Sequence, residues 1–192
     1  MLRFLVLGAA TLLAADGTIA QLSDKDVSRA ISRAEKMSRS LCLGDMRPGQ
    51  FNVCVQGPAQ RIATAAHTAK LAERSLKASA VPDEMKALTW TVFALPNQPA
   101  LVAGKFVRTP SAKTIQLRLG DAPDASLIDP VNATRSTYSW DNSVGARLTS
   151  MGITAVFDAG MLDPGAIDIL ITTEDGTELH YPLAPAAREQ IR

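Results

Sequence analysis

Residues able to do chemistry are sparse in this 192-residue chain: two cysteines and two histidines, set among 19 acidic residues. Cys42 and Cys54 bracket the stretch LCLGDMRPGQFNVCV, and a disulfide closing that loop of about a dozen residues would restrain the unfolded chain by ~3 kcal/mol. A zinc site would need four ligands, and neither a C-x-x-C spacing nor a nearby histidine supplies them. The pair is therefore expected to be a structural bridge, and no metal is expected. His67 and His180 lack local signatures, so a Ser-His-Asp site would have to converge through folding. A hydrolase working with two carboxylates needs only a pair of acids, and thirteen lie beyond residue 80. Asp121, Asp124, Asp129 and Asp141 suggest calcium, but their spacing departs from the regular ligand loop, and a solvated loop over residues 120 to 150 fits better. No G-x-S-x-G, H-E-x-x-H, phosphate loop or dinucleotide fingerprint occurs. The chain thus leans away from enzymes, with no cofactor expected.

Two surfaces could bind instead of react. Val27, Ala30, Ile31, Ala34, Met37 and Leu41 recur at helical spacing, which gathers Lys25, Arg29, Arg33 and Lys36 on the opposite side, with Arg47 close by in sequence. Such a face could meet an envelope protein or an anionic surface, although a solvated basic back is the plainer reading. Within STYSWD, Tyr138 and Trp140 are two residues apart and so share one face of a strand. An aromatic pair of that kind either joins a core or lines a sugar or peptide groove.

The elements that must carry these residues fall into three parts. Residues 1–20 read as a signal peptide: Arg3 precedes the apolar run Phe4 to Ala15, and Thr18-Ile19-Ala20 supplies the small residues for cleavage before Gln21. The run is too short to span a bilayer, so no transmembrane segment is expected after processing. Export leads to a periplasmic or secreted location, where disulfides persist. Residues 21–80 read as a disulfide-stapled helical hairpin, capped by Ser23 at its start and reopened by Gly57-Pro58, with Leu71 expected under a second cover. Residues 81–192 read as an antiparallel β body that could form one domain with the hairpin. The fold class is thus α+β. The hairpin segment carries ten Lys and Arg against five Asp and Glu, the β body nine against thirteen. A formal charge of +1 overall argues against a nucleic-acid partner.

In the β body, residues 88–95, 101–107 and 113–119 are expected as a meander, Gly104 marking a bulge. The clearest pattern is at the end, where Ile167, Ile169 and Ile171 alternate with polar residues and return as Leu179, Tyr181 and Leu183. A three-residue loop at Glu174 to Gly176 pairs Ile171 with Leu179 and Ile169 with Tyr181; a one-residue slip would turn every apolar side chain outward. Pro182 has no amide to donate and marks an edge strand, which leaves His180 opposite Leu170 on the outer face. The run Leu162 to Ile169 with Asp175-Gly176 resembles the late strands of immunoglobulin-like sandwiches in exported bacterial proteins, a resemblance that implies a β-sandwich and no activity. The function expected is a non-enzymatic binding or adaptor protein of the cell envelope. The alternatives are a carbohydrate- or peptide-directed hydrolase and a structural subunit of an envelope assembly.

Overall fold

The computed structural model describes residues 19–37, 40–44, 46–120, 125–141, 147–161 and 167–186. Nearly all of the expected signal peptide lies outside them, as do Asp121, Asp124, the turn at 163–165 and the tail from 187. Four α-helices are described: α1 (Asp24–Ser32), α2 (Ala34–Met37), α3 (Pro58–Leu71) and α4 (Asp83–Lys86). The strands are β1 (Leu41–Leu43), β2 (Phe51–Gln56), β3 (Thr89–Pro96), β4 (Ala100–Val102), β5 (Lys105–Val107), β6 (Ala112–Leu119), β7 (Ser126–Ile128), β8 (Asn132–Asp141), β9 (Arg147–Asp158), β10 (Ile167–Thr173) and β11 (Glu178–Leu183). The protein is mixed α+β with antiparallel sheets. One sheet runs β1-β2-β3-β9-β8, the second β11-β10-β6-β7, and β4-β5 form a separate two-stranded ribbon. None of the described helices is long and apolar enough to cross a membrane.

One core draws on both sheets. Period-2 alternation turns Phe51, Val53, Val55, Val92, Ala155 and Phe157 inward from the first and Ile115, Leu117, Ile169, Ile171 and Leu183 inward from the second. A separate apolar cluster joins α1 to α3 through Val27, Ala30, Ile62 and Val81. Helix starts follow the sequence. Ser23 Oγ accepts from Asp26 N at 3.3 Å, and Pro58 opens α3 where no amide is missed. The final hairpin has the expected register, with Ile171 opposite Leu179, Ile169 opposite Tyr181, and Gly176 at φ +85°. β11 is an edge strand, as Pro182 requires.

The cysteines are where the sequence reading fails. They form the expected disulfide, but they face each other across the β1–β2 pair and do not join two helices. Helical spacing had assigned Leu41 to a helix face. The alternation Leu41 and Leu43 inward, Cys42 outward overrides it, because β1 pairs with β2 and both leucines pack on the sheet core. Cys54 in turn lies opposite Phe93, so strands from either side of residue 80 share one sheet. The meander is also corrected. β3 and β6 belong to different sheets, and residues 100–107 double back at Ala103-Gly104 as the ribbon and contain no bulge. The stretch read as solvated loop contains β7, β8 and the start of β9. Leu71 is exposed, not covered.

Candidate functional site

Two clusters on the outer faces of the sheets have the makings of a site. The first is aromatic. Tyr138 and Trp140 lie on β8, an edge strand, opposite Ser150 and Leu148 of β9. Their rings stack with centroids 6.5 Å apart and planes at 23°, an offset arrangement that aromatic quadrupoles favour. Both side chains are half-buried. Gly152 makes room for them: a Cβ there would come within 2.7 Å of Tyr138 Cε2 and 2.7 Å of the Ala94 carbonyl. Partial burial of the phenol raises its pKa above the ordinary value.

The second is ionic and was missed by the sequence reading. Asp168 of β10 lies opposite Arg118 of β6. Its Oδ2 takes Arg118 Nη2 at 3.3 Å and meets His180 Nδ1 of β11 at 2.6 Å. His180 does face Leu170 across the strands, but its ring turns diagonally to the carboxylate two residues along. Diagonal neighbours in a sheet remain within reach of long side chains, and that was the available signal. Asp168 is 13% exposed, and both its Oδ1 and Arg118 Nε are buried without a partner among the described residues. His180 borders two clefts. One of about 340 Å³ is walled by Leu43, Gly44, Gln50 and Tyr181; the other, about 440 Å³, is walled by Arg118, Ile167, Leu183 and Pro185. A carboxylate that holds imidazole by Nδ1 leaves Nε2 for proton transfer or for a ligand. Among the described residues, neither cleft is lined by a serine, threonine or cysteine, the usual side-chain partners of such a dyad.

The basic residues form a looser set. Lys25 and Arg29 are exposed on α1, Arg33 caps it, and Lys36 lies on the separate short helix α2. Acids interrupt them: Asp26 pairs with Arg29 at 3.3 Å, and Glu35 pairs with Lys70 of α3. The lysine's hydrogen bond, with its charge, holds the Glu35 carboxyl below the ordinary carboxylate value. Arg47 belongs to neither helix: it lies on the β1–β2 connection, where its carbonyl accepts from Asn97 Nδ2 at 2.9 Å. Among the described residues no three His, Cys, Asp or Glu side chains gather to hold a metal ion.

Arg61 was also missed, because an arginine on a helix reads as surface. From α3 its Nη1 donates to the Thr89 carbonyl at 3.2 Å and the Thr91 hydroxyl at 3.3 Å, and its Nη2 to the Ala87 carbonyl at 2.8 Å. Burial lowers the guanidinium to about 10, which leaves it charged at neutral pH. It ties the helical layer to the outer face of the five-stranded sheet. Compared with family models, curated proteins and solved structures, the chain finds no match.

Proposed function

We propose that this chain is an exported, non-enzymatic binding or adaptor protein of the cell envelope, built as a β-sandwich with a helical layer, which receives its ligand on the Tyr138–Trp140 shelf. The observation that carries the reading is the stacked, half-exposed pair on an edge strand: two rings backed by the sheet on one side and open on the other. Such a shelf accepts flat apolar surfaces, the face of a sugar ring or a side chain of an extended peptide. The Cys42–Cys54 disulfide supports export, since such bridges persist outside the reducing cytosol. Two sheets on one core support the sandwich.

Fluorescence provides the test, because Trp90 is buried and Trp140 is not. Titration with glycan fragments and extended peptides from the envelope should shift Trp140 emission, and Tyr138→Ala should weaken the effect about tenfold, the loss of one stacking partner. Ligands that ignore Tyr138→Ala but are lost on R29E/R33E would relocate the site to the basic helix. For export, mass spectrometry of protein from the envelope fraction should find an amino terminus at Gln21 and no free thiol; an intact Met1 with two alkylatable cysteines would overturn it.

The Asp168–His180 dyad favours a second reading, a carbohydrate- or peptide-directed hydrolase in which His180 Nε2 draws a proton from water. Turnover of such substrates, abolished by His180→Ala and retained in Tyr138→Ala, would put this reading first.

A further inference from the structure

The β4–β5 ribbon exposes apolar side chains that folding does not explain. Leu101 and Phe106 face each other across it and are 70% and 50% exposed; Val102, opposite Lys105, is exposed as well. A two-residue turn at Ala103 (φ 50°) and Gly104 (φ 75°) makes the tip narrow. The foot is fixed. Asn97 Nδ2 donates to the Arg47 carbonyl at 2.9 Å and the Thr109 hydroxyl to the Gln50 carbonyl at 2.9 Å, which clamps both legs of the ribbon to the β1–β2 connection. That connection adds Met46, 81% exposed, beside Arg47. Between Glu84 and Asp121 the chain contains no acid, while Lys105 stands beside the tip, opposite Val102, and Arg108 follows β5 at the foot.

We propose that the ribbon docks the protein on an anionic lipid surface, with Leu101, Val102 and Phe106 entering the headgroup boundary and Lys105 and Arg108 meeting lipid phosphates. Charge complementarity selects this occupant. An apolar tip with a cation beside it and another at its foot suits an anionic interface, where each Lys or Arg near the surface adds about 1 kcal/mol. Size argues against a protein partner: the ribbon spans Ala100 to Val107, well short of the roughly 20 to 30 residues per side of a standard protein interface. The inference stands on the ribbon alone and holds whatever the aromatic shelf receives.

Vesicle flotation of the purified protein tests it, with phosphatidylcholine vesicles and with phosphatidylcholine containing one quarter phosphatidylglycerol. The protein should float with the anionic vesicles, at least about tenfold more tightly than with the neutral ones at low salt, and less tightly as salt rises. L101S/F106S should abolish flotation with both, and K105E/R108E should remove the preference for the anionic vesicles. Phe106→Trp reports independently, through a blue shift of the new emission on adding anionic vesicles. Tyr138→Ala should float like the parent, which separates this inference from the ligand reading. Failure to float with either vesicle, or flotation indifferent to both ribbon variants, overturns the proposal, as would an envelope protein photocross-linked at position 106 when vesicles do not bind.

Discussion

Towards the core the two sheets are alike: Val53, Val55, Val92 and Ala155 from one meet Ile115, Leu117, Ile169 and Ile171 from the other. Their outer sides are not. The five-stranded sheet takes a helical cover at one end, where Gln56 donates to Thr64 and Arg61 bridges α3 to Thr89 and Thr91, and leaves the Tyr138–Trp140 shelf open at the other. The four-stranded sheet carries instead a charge cluster, Arg118, Asp168 and His180, between two clefts. Where a face is covered, its polar groups are consumed in holding the cover. Where it is open, it keeps groups that can still meet a ligand, apolar rings on one sheet and an oriented imidazole on the other.

The largest effect should come from removing the tie between cover and sheet. Arg61→Met takes the charged donor from the Thr89 and Ala87 carbonyls, the latter keeping the Thr89 amide. It should cost roughly 3 kcal/mol in urea unfolding, since hydrogen bonds from a charged donor to part-buried acceptors are lost together with the burial of the side chain that made them. A loss below half of that would mean the cover is held by the Val27–Ile62 cluster alone. Next is Gly152→Ala. Its methyl would meet the Ala94 carbonyl as well as the Tyr138 ring, and a backbone atom cannot step aside, so overpacking of about 2 kcal/mol is expected. The same change should disturb the shelf and alter Trp140 emission. On the other sheet, Asp168→Asn should cost about 1 to 2 kcal/mol, because Arg118 Nη2 and His180 Nδ1 both lose a charged acceptor. His180→Ala should cost less than about 1 kcal/mol, the imidazole being 44% exposed to solvent.

How much of this could be read from the sequence depends on whether the signal was local. The β10–β11 register was legible because turn chemistry and alternation agreed within seventeen residues, Ile167 to Leu183, and a slipped register would expose every isoleucine. The disulfide was legible as a pair but not as a place: a three-residue strand such as β1 is shorter than one period of helix, so helical spacing running on from α1 outweighed it. Which strands share a sheet could not be read, since β3 and β9 pair across some sixty residues and nothing local encodes that. For the site, Tyr138 and Trp140 were visible by spacing alone. His180 was visible but paired only with Leu170, because its link to Asp168 depends on a diagonal between strands. Arg61 needed the position of α3 over β3, which is tertiary information.

The smallest effect separates the two regions by the origin of their electrostatics. Asp175, in the β10–β11 turn, has its carboxyl lowered from 3.8, first by the Thr173 hydroxyl and then by the Thr177 amide. Glu35, in the helical layer, is lowered by the Lys70 ammonium. In both, the folded value lies beneath the unfolded one, so the unfolded chain binds more protons in acid. Each contribution is complete above the ordinary carboxylate value and disappears as pH falls through the depressed one. The causes differ in range. An exposed ion pair is screened once the Debye length shrinks to about 3 Å near 1 M salt, whereas hydrogen bonds from a neutral hydroxyl and a backbone amide are not. Carboxyl titration followed by NMR should therefore find Glu35 moving back towards its ordinary value in high salt while Asp175 stays depressed. Thr173→Val should do the reverse, releasing Asp175 and leaving Glu35 unchanged. If salt relaxed both groups alike, the turn would be held by the field of the whole molecule and not by its own hydrogen bonds, and the distinction between the two regions would fail at this point.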